Sequence, residues 1–349
     1  MSGARHRHAI VLFNLGGPDT PDAVMPFLYN LFKDKAIITA PALIRFPLAA
    51  LISSTRAKSA RANYALMGGG SPLLPETEKQ AEALRQRLCE MAPDEDTEVF
   101  IAMRYWRPFV ETTAKAVAKF APDRVTLLPL YPHFSTTTTG SSLGAWSKAY
   151  KGPGHVRLIC CYPEAEDFIQ SHADRINEAW QQAESPSGLR LLFSAHGLPE
   201  KVILAGDPYQ SQIERTAAKI AAKLPQFQDW SVCYQSRVGP LKWIGPSTIE
   251  ALTAAGLEGK GVIITPIAFV SEHVETLVEL DHEYGEMAKG VGVAPYVRVP
   301  ALGVAPAFIE ALAAAATSEC AFARGPFGGP PCEIEHGACP YRVGERADG

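Results

Sequence analysis

Short apolar runs recur along the chain. Each ends in a polar or glycine-containing turn, and most lead into a stretch with helical spacing. In the first half these runs are Ala9 to Asn14, Glu98 to Met103, Arg124 to Leu130 and Val156 to Cys161. In the second half they are Leu189 to Phe193, Trp230 to Tyr234, Val262 to Pro266 and Tyr296 to Val299. Runs of this length that are apolar almost throughout, rather than alternating, predict strands covered on both faces, as in parallel sheets. Helical patterns follow, from Thr20 to about Lys33 and over Arg56–Ala65, Glu76–Cys89, Thr112–Phe120 and Asp167–Gln182, with a further helix capped by the polar run Ser135 to Ser142. Later ones cover Gln210–Lys223, Thr248–Ala254, Glu272–Met287 and Pro306–Ser318. Pro41 and Pro47 break Ala36 to Ile52 into helical patches. The pattern predicts an α/β fold of two similar halves, each with a four-stranded parallel sheet. The halves span residues 8–185 and 186–304, joined near Ser187, and residues 305–349 form a final helix and tail.

Composition sharpens this picture in a few places. A chain of 349 residues with 47% apolar content is long enough for two cores and too apolar for disorder. The net charge of −4 is spread out, which gives nucleic acid nothing to bind. There is no uncharged apolar run of roughly 18 residues to cross a bilayer. Ala9 to Leu15 is too short for a signal sequence, so a cytoplasmic protein is expected. Oligomeric state is left open. Gly68, Gly69 and Gly70 do not follow a strand, so they read as a bend rather than a phosphate loop. Seven cysteines without an export signal point to reduced thiols or metal ligands rather than disulfides.

In open α/β sheets ligands bind at the strand ends. His196 ends the run that starts at Leu189, and only Ile263 to Glu283 matches it in density of histidine and acids. These two stretches are expected to face each other across a cleft. The other strand ends carry Leu15, Arg104, Tyr105 and Ser135 in the first half, and Gln235, Arg237, Trp243 and Phe269 in the second. Aromatic faces with a few cations suit a flat apolar ligand bearing carboxylates. Ser271 is expected to cap a helix on which Glu272, Glu275 and Glu279, at i, i+3 and i+7, share a face. A row of like carboxylates raises pKa values and can hold or pass a proton near neutrality. Cys320, Cys332 and Cys339 are separated by eleven and six intervening residues, a spacing that matches no compact zinc motif. They read as a metal staple, with Cys160 or Cys161 as a fourth ligand.

Five stretches, in order along the chain, are Leu12 to Pro18, Gly68 to Pro72, Leu191 to Pro199, Tyr234 to Pro240 with Trp243, and Phe269 to Leu277. Together they make the sequence resemble the ferrochelatase family. The resemblance implies two Rossmann-like halves around a porphyrin cleft and insertion of Fe2+ into protoporphyrin with loss of two protons. His196 and Glu275 would form the insertion site, with His196 either taking pyrrole protons or holding the metal. Glu272, His273 and Glu279 would form an acidic path for protons. Leu15, Arg104, Tyr105, Ser135, Trp243 and Phe269 would line the macrocycle pocket, with Arg56 near its mouth. Residues 36–52 would form an apolar lip in peripheral contact with the inner face of a membrane. Some members carry a [2Fe–2S] cluster on a C-terminal extension, which the tail cysteines with Cys161, or Cys160 in its place, would match. The competing readings are a cobalt chelatase acting on a sirohydrochlorin-type ring, which the Arg104–Tyr105 and Tyr234–Pro240 loops disfavour, and a tetrapyrrole carrier without turnover.

Overall fold

A computed structural model describes residues 5–184, 186–237, 239, 241–318, 336–338 and 340. Its contacts divide the chain into two compact units. The first comprises residues 1–131 and 135–160, the second residues 132–134 and 161–349.

The first unit is built on β1 (Arg7–Asn14), β2 (Asp96–Met103), β3 (Arg124–Pro129) and β4 (His155–Leu158). Their order in the sheet is β2-β1-β3-β4 and every pairing is parallel. β1 is central and buried at every residue after its first, which requires cover on both faces, as its unbroken apolar run predicts. Gly16 turns the chain out of β1 at φ +85°, and a side chain there would meet the Trp106 backbone at 3.0 Å. The helices of this unit are α1 (Val24–Phe32), α2 (Ala42–Ala65), α3 (Leu73–Met91), α4 (Val110–Phe120) and α5 (Thr139–Ala149). Phe13, Trp146 and Tyr150 lie in its core, with Trp146 stacked on Tyr150 at 4.9 Å.

The sequence predicts a broken segment over 36–52 and a separate helix from Arg56, but α2 is one continuous helix through Pro47. Pro47 removes the N–H that would serve the Leu43 carbonyl. Leu43 is 91% exposed, so water can take over that acceptor and the helix survives.

The second unit is built on β5 (Arg190–His196), β6 (Trp230–Gln235), β7 (Val262–Pro266) and β8 (Tyr296–Arg298). They lie in the order β6-β5-β7-β8 and are again all parallel, which repeats the first topology. Its helices are α6 (Glu166–Gln182), α7 (Glu200–Leu204), α8 (Tyr209–Ala222), α9 (Thr248–Leu257), α10 (Tyr284–Gly290) and α11 (Pro306–Thr317), with a π-helix at Glu275–Glu283.

The contacts change between residues 160 and 161, not at the expected junction of 185 and 186. α6 packs on α8 and α11, and Arg175 Nη2 donates to the Leu302 carbonyl. For the same reason α11 belongs to this unit rather than standing apart with the tail. No described helix is long and apolar enough to cross a membrane.

Candidate active site

The strand order places a topological switch point between the carboxyl ends of β5 and β7, because the chain leaves β5 for β6 on one side and leaves β7 for β8 on the other. His196 is the last residue of β5, and the loop after β7 leads into the π-helix. The two stretches expected to face each other meet directly: His196 Nδ1 lies 2.8 Å from Glu275 Oε2. The imidazole side chain is 38% exposed and the carboxylate 19%. Tyr209, at the start of α8, donates its hydroxyl to the His196 carbonyl at 3.1 Å and so fixes the strand end.

The charges on this pair follow from its surroundings. Burial alone would neutralise Glu275, but His196 beside it holds its carboxyl down at about 2. Burial likewise opposes a charged imidazole at His196, and the Glu275 carboxylate, with Glu279 behind it, raises its pKa above the usual histidine value. An ionised Glu275 only accepts, so Nδ1 of His196 carries the hydrogen in their bond. Nε2 is then left as the ring nitrogen that can take a proton.

Glu279 lies one step along the π-helix. Its Oε2 accepts from Ser236 Oγ at 2.5 Å and from Gln235 Nε2 at 3.0 Å. Ser236 Oγ also lies 3.2 Å from Glu275 Oε2, so one hydroxyl bridges the two acids. Ser236 does this from a left-handed backbone at φ 62°, a strained conformation for a residue with a side chain. Burial first, and the neighbouring Glu275 charge second, push the Glu279 carboxyl up to about 7. The pair is therefore one carboxylate and one carboxyl that exchanges its proton near neutrality.

Two sheet side chains reach main-chain carbonyls of this π-helix. Gln235 Nε2 donates to the Glu275 carbonyl at 2.9 Å, and Tyr296 Oη donates to that of Leu280 at 2.7 Å. His273 precedes the helix, and its Nδ1 accepts from the Glu275 N–H at 3.1 Å. Burial lowers the His273 pKa. Its ring stands edge-on to Phe269, with centroids 4.5 Å apart.

The expected helix from Ser271 and its single row of three acids do not form. Ser271 is buried ahead of the helix, which opens at Val274 and runs in the π register from Glu275. Glu272 turns instead to Arg298, whose Nη1 lies 2.6 Å away, and accepts from the Ala301 N–H at 2.9 Å. Although burial would raise it, Arg298 and these bonds hold the Glu272 carboxyl below the usual range. Glu272 anchors the end of β8, while Glu275 and Glu279 share Ser236. Trp243 pairs with Pro199 in an isolated bridge. Gly197 lets Trp243 close over the strand end, since a side chain there would lie 2.9 Å from the Gln235 carbonyl and 3.4 Å from the indole.

The first unit holds the remaining expected residues. Leu15 follows β1, and its carbonyl accepts from the Tyr105 N–H at 2.9 Å. Arg104 and Tyr105 converge on Asp34: Arg104 Nη2 at 2.7 Å and Tyr105 Oη at 2.8 Å, with Ser141 Oγ on the same oxygen. Tyr105 is 1% exposed, so it supports Arg104 rather than presenting a face. Ser135 is buried and bonds Thr137 at 2.8 Å. Arg56 is exposed, 6.0 Å above the Phe32 ring. The site reading of the sequence placed Gln235 at a strand end without a role, and missed Ser236, Tyr209 and Asp34. Of these three only Ser236 had a signal, which was its place directly after an apolar run.

Cys160 and Cys161 are both buried, and Gln212 Nε2 lies 3.5 Å from Cys161 Sγ. Cys320, Cys332 and Cys339 lie outside the described residues. Among the described residues no group of three or more histidine, cysteine or acidic side chains is arranged to hold a metal.

The ferrochelatase family model matches residues 7–320. A curated ferrochelatase from Caulobacter vibrioides (strain NA1000 / CB15N) is 64% identical over 342 residues, spanning 97% of this chain and 99% of that one. The ferrochelatase of Phenylobacterium zucineum is 60% identical over 340 residues, with the same shares covered. That of Hyphomonas neptunium is 57% identical over 308 residues, covering 88% of this chain and 86% of its own. With a family model spanning most of its length and relatives this similar end to end, the chain belongs to the ferrochelatase family.

Proposed function

We propose that this protein inserts ferrous iron into protoporphyrin, releasing two protons and forming protohaem. The observation that carries the reading is the bond between His196 Nδ1 and Glu275 Oε2, which leaves Nε2 available beside two acids of unequal affinity for protons. Two pyrrole N–H protons must leave as Fe2+ enters, so a base is required. His196 Nε2 takes the two pyrrole protons in turn, the first being passed on before the second is taken, and the adjacent Glu275 carboxylate stabilises the imidazolium formed each time. Ser236 bridges Glu275 to Glu279, and Glu279 passes the proton on near neutrality. The Glu275 carboxylate supplies an oxygen donor as iron sheds water. His273, held as a helix cap, and Glu272, tied to Arg298, position this set. Trp243 and Phe269 offer the macrocycle aromatic faces.

Anaerobic Fe2+ insertion and Zn2+ insertion into porphyrin, followed by absorbance, test the reading. His196→Ala should lose about 10²-fold or more in rate while retaining porphyrin binding. An unchanged rate sinks the assignment, and saturable porphyrin binding without turnover would make the protein a carrier.

Two finer readings go with this function. The first is peripheral membrane contact through the 36–52 lip. Leu43, Ile44, Phe46 and Leu51 are 91%, 59%, 46% and 60% exposed on α2, which also carries Arg45, Arg56, Lys58 and Arg61 and no acid. An apolar face flanked by cations suits an anionic lipid surface. Sedimentation with vesicles of anionic or purely zwitterionic lipid tests it; equal and negligible binding to both would refute it.

The second is a [2Fe–2S] cluster held by Cys161 with Cys320, Cys332 and Cys339. The Gln212 amide at the Cys161 sulfur suits a cluster thiolate, since such donors tune cluster potentials, and Cys160 stands as the alternative ligand. Ala338 donates its N–H to the Gly206 carbonyl, shortly before the helix that carries Gln212. Bound, the cluster would add a one-electron redox centre to this unit. Purified protein without charge-transfer absorbance and stoichiometric sulfide excludes it.

A further inference from the structure

Gln235 is the last residue of β6, fully buried and paired in register with His196. All three of its side-chain bonds run to the site. Its Oε1 accepts from Ser194 Oγ at 2.8 Å. Its Nε2 donates to the Glu275 carbonyl at 2.9 Å and to Glu279 Oε2 at 3.0 Å. The orientation of the amide is fixed by chemistry, because the Glu275 carbonyl can only accept and a reversed amide would face it with oxygen. Ser194 lies two residues before His196 on the same face of β5. One buried amide therefore ties the strand that carries the base to the helix that carries both acids.

We propose that Gln235, oriented by Ser194, is a positioning residue that holds the π-helix in register so that Glu275 meets His196 while Glu279 meets Ser236. The proposal rests on the insertion reading above. Short π-helical stretches are uncommon and cluster at functional sites, so something must hold this one open. A side chain bonded to a helix carbonyl is a known cause of such local distortion. The Gln235 bond does this at the first residue of the π-helix, and its second N–H reaches the acid four residues on. If the helix relaxed to the α register, the Glu275 carbonyl would accept from the N–H four residues on instead of five. The two acids would stay on one face but turn relative to each other about the axis, and Gln235 and Ser236 could no longer meet both as they do here. Gln235 need not touch porphyrin or iron to matter.

Gln235→Met keeps the length and bulk of the side chain but removes its donors. Supporting partners of this kind typically contribute 10–100-fold to metal affinity or activity. The variant should lose about that much in kcat while the KM for porphyrin stays within about twofold. Ser194→Ala should show a smaller loss in the same direction. Because Gln235 is argued to work through both acids, the loss that Gln235→Met adds on top of Glu279→Gln should be smaller than the loss it causes in the wild type.

Losses that multiply in the double variant overturn the proposal. So does a kcat equal to that of the wild type, or a parallel loss of porphyrin binding and folding. Amide hydrogen exchange over residues 275–283 should quicken in Gln235→Met, and unchanged exchange also overturns it. That readout needs no turnover. A wild type that inserts no metal would thus count against the functional reading alone, and the exchange result would still decide the role of Gln235.

Discussion

At the scale of single residues, Glu275 and Glu279 have the same chemistry and opposite environments. Glu275 is ionised because an imidazole touches it, and Glu279 titrates near 7 because burial and the charge of Glu275 oppose a second anion. The folded pKa of Glu279 lies above its ordinary value of 4.5, so between 4.5 and about 7 the folded chain binds a proton that the unfolded chain does not. Its contribution to stability is therefore present at low pH and is lost as pH rises through about 7. Glu279→Gln, which cannot ionise, should melt above the wild type at pH 8, with the gap closing by pH 5, as read by thermal scans. The same titration should set a limb of the wild-type rate profile. Insertion should rise as pH increases through about 7, when Glu279 can accept a proton, and Glu279→Gln should flatten that limb. A wild-type rate that is level between pH 6 and 8 would count against Glu279 as the outlet.

Among the elements, the departures from local expectation have identifiable causes. α2 runs through Pro47 because the displaced carbonyl belongs to an exposed turn. α9 behaves as its sequence suggests. Ser247 accepts from the Glu250 N–H at 3.1 Å, and Glu250 returns the bond to the Ser247 N–H at 2.6 Å. Ser247→Ala should therefore cost about 1 kcal/mol in urea unfolding. The π-helix could not be foreseen from periodicity, because Val274, Leu277 and Val278 fit an α-helical stripe equally well. Its register depends on Gln235 and Tyr296, which belong to strands. Glu272 shows the same effect on one side chain. It sits in the first turn of a plausible helix, yet Arg298, twenty-six residues away, captures it.

On the scale of the whole molecule, the same strand order appears in both units, and in the second it brings His196 to the switch point. α2 is the counterpart on the surface, with exposed leucines beside cations although the chain as a whole carries −4. Binding to anionic vesicles should weaken as salt is raised from about 0.01 M to 0.15 M, since screening shortens to about 8 Å. Leu43→Glu combined with Ile44→Glu should reduce it further at every salt concentration, with the melting temperature unchanged, because both side chains are more than half exposed. Binding insensitive to both changes would remove the lip from the membrane reading.

The eight strands, their parallel arrangement and the placing of His196 at a strand end were legible in the sequence. Strands buried on both faces must be apolar throughout, and a polar residue that ends such a run marks the carboxyl end of the strand, where ligands bind. The pairing of His196 with the acidic stretch was legible too, because few histidines and acids compete for the strand ends. Tertiary structure alone decided which acid does what. Glu275 meets a base 79 positions away, Ser236 bridges to Glu279 across 43, and Asp34 gathers Arg104 from 70. Contacts at such separations leave no trace in local periodicity, yet they set the charge state of every group at the site.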